Sequence, residues 1–158
     1  MGIAVPVILE TLKGVGAAVK GLQELLTSQK TAIGQGRKVV SELKNNMSYL
    51  DLVADGARSL DDILPKLSTA SYRELRDAGY DFNTIKKARI KDYAGLKKTD
   101  LAGWAKQDTA ALIESIYDKI EDLLIKYPHA KKSNKYRWSV RVNNIRKRIM
   151  LLTKHLAS

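Results

Sequence analysis

Between Leu112 and Tyr127 the apolar residues Leu112, Ile113, Ile116, Tyr117, Ile120, Leu123, Leu124 and Tyr127 recur three and four positions apart. That spacing draws one continuous stripe along a helix of 3.6 residues per turn and no stripe on a strand. Asp108 supplies a cap in front and Pro128 a stop behind. After the connector "HAKKSNK", with Ser133 or Asn134 as the next cap, Trp138, Val142, Ile145, Ile149, Leu152 and Leu156 draw a second stripe on a final helix. Val39, Val40, Leu43, Met47, Leu50 and Val53 draw a third, from Arg37 to Ala54. Stripes of this kind must be buried against one another, which makes the fold class all-α.

The opening segment adds a fourth. A helix is expected from Val5 or Val7 to Ile33, because Val5, Leu12, Val19 and Leu26 recur every seventh residue, with Ile8, Val15 and Leu22 three later. Pro6 is tolerated in a first turn. Gly34 and Gly36 close this helix or bend a longer one. The expected architecture is an antiparallel bundle of four long helices with short connector helices in the middle. It is read as a single domain over 1–158, with the N-terminal helix at 1–33, the connector at 68–107 and a basic C-terminal helix at 131–158.

The connectors carry their own signals. Ser59 with Asp62 matches a capping box, limited by Pro65, and Ser71 with Glu74 matches another, closed by Gly79. "NTIKKARIKDY" reads as a short helix capped by Asn83, and a turn or two follows around Trp104. Together, "YRELRDAGYDFNTIKKARIKDY" is loosely similar to a helix-turn-helix that would turn Thr84, Lys86, Lys87 and Arg89 toward DNA.

Composition agrees with helices: only three prolines, 6% aromatic residues, 44% hydrophobic and 28% charged. Cysteine is absent, so disulfides and thiolate metal sites are excluded, and a reducing, cytoplasmic compartment is the expectation. The first uncharged run ends at Leu9, well short of the roughly 20 apolar residues of a membrane span. No basic region precedes it as in a signal peptide, and Pro6 stands where a myristoylation signal wants Ser or Thr.

Catalytic and metal residues are not expected. The two histidines, His129 and His155, have no carboxylate nearby in sequence, and the neighbouring acids Asp61-Asp62 and Glu121-Asp122 point different ways on a helix. "GVGAAVKG" follows no strand and lacks the spacing of a nucleotide loop. A non-enzymatic protein without cofactor or small-molecule substrate is the reading.

The net charge of +11 is concentrated at one end, since the last 36 residues, from Leu123, hold ten Lys/Arg and no Asp/Glu. Lys131, Lys132, Lys135, Arg137, Arg141, Arg146, Lys147, Arg148 and Lys154 are candidates for contact with an anionic surface. The plainer alternative is a solvated face whose stems cover the edge of the core.

Small residues Gly14, Ala17, Ala18 and Gly21 form a narrow stripe on the first helix. Glycine in a helix costs about 1 kcal/mol relative to alanine, so these positions ask for a reason. Close packing inside the bundle is one. The other is a loosely held helix that inserts into a bilayer through Val5, Ile8, Leu9, Leu12, Gly14, Val15, Ala18, Val19, Gly21, Leu22 and Leu26. The segment "IAVPVILETLKGVGAAVKGLQELL", followed by a mostly polar helical bundle, resembles the HeLo-type and RPW8-type helical-bundle cell-death domains. The resemblance implies recruitment from the cytoplasm to an anionic lipid membrane, homo-oligomerisation, and permeabilisation in cell death or defence. Two alternatives stand beside it: a small basic nucleic-acid-binding protein, and a structural or virion-type assembly protein built on the first-helix heptads.

Overall fold

The computed structural model describes residues 16–28 and 34–158. The regular structure of these residues is entirely helical. The longer helices are α1 (Ala17–Ser28), α2 (Gly36–Ala54), α5 (Thr109–Ala130) and α6 (Trp138–Ala157), and α3 (Leu60–Ile63) and α4 (Ala70–Asp77) are short.

The apolar stripes close one core. From α1 it takes Ala18, Leu22, Leu25 and Leu26, and from α2 Val39, Val40, Leu43, Met47 and Leu50. Leu112, Ile113, Ile116, Tyr117, Ile120 and Leu123 of α5 meet Val142, Ile145, Ile149 and Leu152 of α6 there. Helix α6 packs against α1, α2 and α5, and α2 also packs against α1 and α4. This central position explains why Leu151, Thr153 and His155, off the expected stripe of α6, are buried too. Tyr72 of α4 stacks on Tyr117 with ring centroids 4.2 Å apart and planes within 5°, joining the connector to the same core.

The first helix differs from the expectation. Gly16 has φ +92°, a conformation closed to a helix and open chiefly to glycine, so α1 starts at Ala17. Of the expected helix from Val5 or Val7 to Ile33, residues 1–15 and 29–33 lie outside the described residues. The glycine at position 21 has a packing reason: a β-carbon there would stand 2.8 Å from Thr153 Cγ2 of α6.

Three local expectations are not met, and in two of them a contact from a distant residue takes the place of the expected one. Ser71 does not cap α4; the Glu42 carboxylate of α2 does. Its oxygens accept from the Ser71 N–H at 2.8 Å, the Tyr72 N–H at 3.1 Å and the Ser68 hydroxyl at 2.8 Å. Asn83 opens no α-helix. A 3-10 turn, Phe82–Thr84, is followed by irregular chain, and the Asn83 side chain instead accepts from the Ala110 N–H in the first turn of α5 at 2.8 Å. With no second helix there, the helix-turn-helix is not formed. Pro128 does not stop α5, which runs on to Ala130. Its ring removes one hydrogen bond close to the C-terminus, where few remain to be lost.

Asp108 caps α5 as expected, accepting from the Ala111 N–H at 2.8 Å, and Ser59 caps α3 through the Asp62 N–H at 3.2 Å. Ser133 caps only a 3-10 turn, Asn134–Tyr136. Helix α6 begins after Arg137, which is left-handed with φ 48° and ψ 63°.

Candidate functional site

The turn from α5 into α6 builds the site. Trp138 anchors it: the indole N–H donates to the Ala130 carbonyl at 3.2 Å, while the ring meets Tyr127 edge-on and stacks on Tyr136. Arg141 then closes the turn. Its Nε donates to the Tyr136 carbonyl at 2.9 Å, its Nη1 donates to Asp122 at 3.0 Å, and its guanidinium lies over the Tyr136 ring at 5.2 Å.

These bonds hold open a groove of about 400 Å³ between α5 and the start of α6. Lys119, Asp122 and Leu123 line it from α5, Lys135, Tyr136 and Arg137 from the turn, and Val140, Arg141, Asn144 and Ile145 from α6. Asp122 is the only acid in the lining, and both Arg141 and Lys126 engage it at 3.0 Å. Lys135 and Arg137 are exposed and have no ion-pair partner among the described residues. Burial, and next the charge of Arg148, hold the Lys119 ammonium below its ordinary value against the opposing pull of Asp118 and Asp122. The groove is thus short of negative charge, and an anion entering it would lower the repulsion. Val140 on its wall is 43% exposed; it and Ile125, three residues beyond Asp122, are the large apolar side chains left open among the described residues.

The sequence-derived basic face is not one surface. Arg146 is turned inward onto Asp51 at 2.9 Å, and Lys147 reaches Asp100 at 3.0 Å. Arg148, almost buried, donates to the Asn144 carbonyl at 3.0 Å and stands 3.9 Å from Asp100. Lys131 meets Asp61 at 3.3 Å. Five of the nine candidates, with Arg141, are therefore engaged by acids of other segments, and the groove gathers Lys135, Arg137 and Arg141. Lys132 is exposed and Lys154 half-buried, both outside the groove. Lys119 also lines the groove, and the sequence gives little sign of it, because the apolar stripe marks the other face of α5 and the one signal is a lysine three positions before Asp122.

Of the candidate insertion residues, Ala18, Leu22 and Leu26 are in the core, Val19 is half-buried against it, and Gly21 faces Thr153. Val5, Ile8, Leu9, Leu12, Gly14 and Val15 lie outside the described residues. Among the described residues, no helix is long and apolar enough to cross a membrane, and no group of side chains could hold a metal ion. Compared with known proteins, the chain matches no protein family, no curated protein and no solved structure.

Proposed function

We propose that this chain is a non-enzymatic bundle, its four long helices antiparallel, that docks on anionic membranes through the groove between α5 and α6. One observation carries this reading: Val140 is exposed on the wall of a groove whose Lys135 and Arg137 have no carboxylate partner among the described residues. An anionic headgroup layer suits that mixture, taking the cations at its phosphates and the apolar tip toward its acyl boundary.

The resemblance to cell-death domains supports the second half of the reading, insertion and oligomerisation of the N-terminal segment at the bilayer. With Ala18, Leu22 and Leu26 in the core, we assign that role to Val5, Ile8, Leu9, Leu12, Gly14 and Val15, which precede Gly16 in the sequence. A protein of this kind moves from the cytoplasm to the membrane and permeabilises it in cell death or defence.

Co-sedimentation with phosphatidylcholine vesicles, with and without phosphatidylserine, tests the docking. Each cation near such a surface contributes roughly 1 kcal/mol, so Lys135→Ser with Arg137→Asn should weaken phosphatidylserine-dependent binding by about tenfold or more. Binding indifferent to phosphatidylserine would sink the reading. Removing residues 1–15 should abolish dye release and leave sedimentation intact.

A further inference from the structure

We propose that the connector between α4 and α5 carries a nucleic-acid-binding surface, in which Lys87, Arg89, Lys91 and Lys106 contact the phosphodiester backbone. This goes beyond membrane docking and uses none of the groove residues.

The backbone brings these cations together. The Ile90 N–H donates to the Gln107 carbonyl at 2.9 Å and the Lys106 N–H donates to the Ile90 carbonyl at 2.7 Å, so segments distant in sequence run side by side. The Arg89 guanidinium donates to the Lys106 carbonyl at 3.0 Å, which fixes both residues at this pairing. Lys87, Arg89, Lys91 and Lys106 are all exposed.

Carboxylates do not answer them. Lys87, Arg89, Lys91 and Lys106 make no ion pair with any described residue, in contrast to α6, where Asp51, Asp100 and Asp122 each engage a basic side chain. Asp108 is occupied by the Ala111 and Asn83 nitrogens, and Asp92, exposed next to Lys91 in the sequence, makes no ion pair among the described residues. The repulsion is felt beneath the surface: Lys86 is held below its ordinary value by burial and then by Lys91, and His155 is lowered by burial and by both lysines.

Two features direct the surface to a nucleic acid. The large apolar side chains exposed among the described residues, Ile125 and Val140, both lie elsewhere, so what this patch presents is mainly charge, which suits a polymer of phosphates better than an acyl layer. Lys106 is also left-handed, with φ 69°, where Asn or Gly is tolerated and lysine is strained. The Ile90 and Arg89 bonds to its backbone hold that conformation and so fix where its side chain leaves the surface.

Fluorescence anisotropy on a labelled single-stranded RNA of about 20 nucleotides and a DNA duplex of similar length, from about 50 to about 300 mM KCl, decides the matter. Binding should weaken steeply with salt. Lys87→Ser, Lys91→Ser and Lys106→Asn together should lower affinity at least about tenfold and reduce the salt slope by about two to three. Lys106→Asn alone should melt at or above the parent temperature yet bind about two- to threefold more weakly, a combination that loss of folding cannot produce. Lys135→Ser with Arg137→Asn, which tests membrane docking, should leave nucleic-acid affinity within about twofold. The proposal is overturned if neither polymer binds, if the groove variant loses as much as the connector variant, or if the connector variant loses vesicle binding alone.

Discussion

The carboxylate of Asp51 on α2 holds the guanidinium of Arg146 on α6, with Oδ1 accepting from Nε at 2.9 Å and lying 2.9 Å from Nη2. Its second oxygen accepts from the Gly16 N–H at 3.1 Å, the joint at which α1 begins. Three elements meet at one carboxylate whose side chain is 4% exposed, opposite an arginine 14% exposed. Removing one partner of such a pair strands the other charge away from water, whereas replacing both by apolar groups need not destabilise. Arg146→Met should therefore lower stability by about 3 kcal/mol in urea unfolding, and Arg146→Met with Asp51→Leu should recover part of it. Amide exchange in the first turn of α1 should rise in the single variant. An arginine that could be removed without loss would belong to a surface patch after all.

Helix α1 approaches α6 at Gly21. Alanine would raise helix propensity by up to about 1 kcal/mol. Its β-carbon, however, would lie 2.8 Å from Thr153 Cγ2, and Thr153 is buried and fixed by its hydroxyl bond to the Ile149 carbonyl at 2.8 Å. The clash outweighs propensity, so Gly21→Ala is expected to destabilise by about 1–2 kcal/mol. Thr153→Ser removes the offending methyl and keeps the hydroxyl. In a double-mutant cycle it should rescue Gly21→Ala, a coupling that a merely flexible helix would not show.

Glu42 has three hydrogen-bond donors at the start of α4, and it is buried. Glu42→Ala leaves the Ser71 and Tyr72 N–H groups and the Ser68 hydroxyl without this acceptor. The expected loss is about 2–3 kcal/mol in urea unfolding, with Glu42→Gln keeping part of the bonding and losing less. The Tyr117 hydroxyl, pushed well up by burial and by the Glu42 charge, should move toward its ordinary value in either variant.

These relationships mark the limit of what the sequence makes legible. The stripes on α2, α5 and α6 repeat locally, so their helices and core faces can be read directly from spacing. Glu42 and Asn83 act on N–H groups 30 and 27 positions away, and no local pattern announces that. The basic end of the chain misleads for the same reason. Its arginines and lysine meet Asp122, Asp100 and Asp51 at separations of 19, 47 and 95 residues, so a run without acids in sequence is partly neutralised in space. Of the proposed groove, Lys135, Arg137 and Arg141 are visible in the sequence as basic residues; what distinguishes the first two is that they pair with no acid among the described residues.

His155 is neutral in the folded protein. Burial first, then the charges of Lys86 and Lys91, lower its value to about 4. The Thr109 hydroxyl donates to the Lys86 carbonyl at 2.7 Å, which leaves the ring Nε2–H to donate to Thr109 at 2.8 Å. In the unfolded chain histidine titrates near 6.5, so on acidification the unfolded state takes the proton first. Stability is complete above about pH 6.5 and falls as pH drops toward 4, by up to about 3 kcal/mol from this one group. Urea midpoints measured across that range should show the slope, and His155→Gln should flatten the part above about pH 5, where carboxylates contribute little. A parent profile that is already flat there would mean that the ring accepts a proton in place.

Arg137 separates stability from docking. It stands immediately before α6 in a left-handed conformation, which costs an L-residue about 1 kcal/mol and is tolerated by asparagine, and its side chain makes no capping bond. Arg137→Asn should accordingly leave the urea midpoint unchanged or raise stability by up to about 1 kcal/mol. The same substitution removes from the groove a cation without an ion-pair partner among the described residues, so affinity for phosphatidylserine vesicles should fall about fivefold. Arg141→Gln should behave oppositely in stability, because it breaks the bonds to the Tyr136 carbonyl and Asp122 that shape the turn. If Arg137→Asn instead destabilises the protein and leaves vesicle affinity untouched, the arginine is a piece of the turn, and the cation that meets the membrane must be sought at another residue.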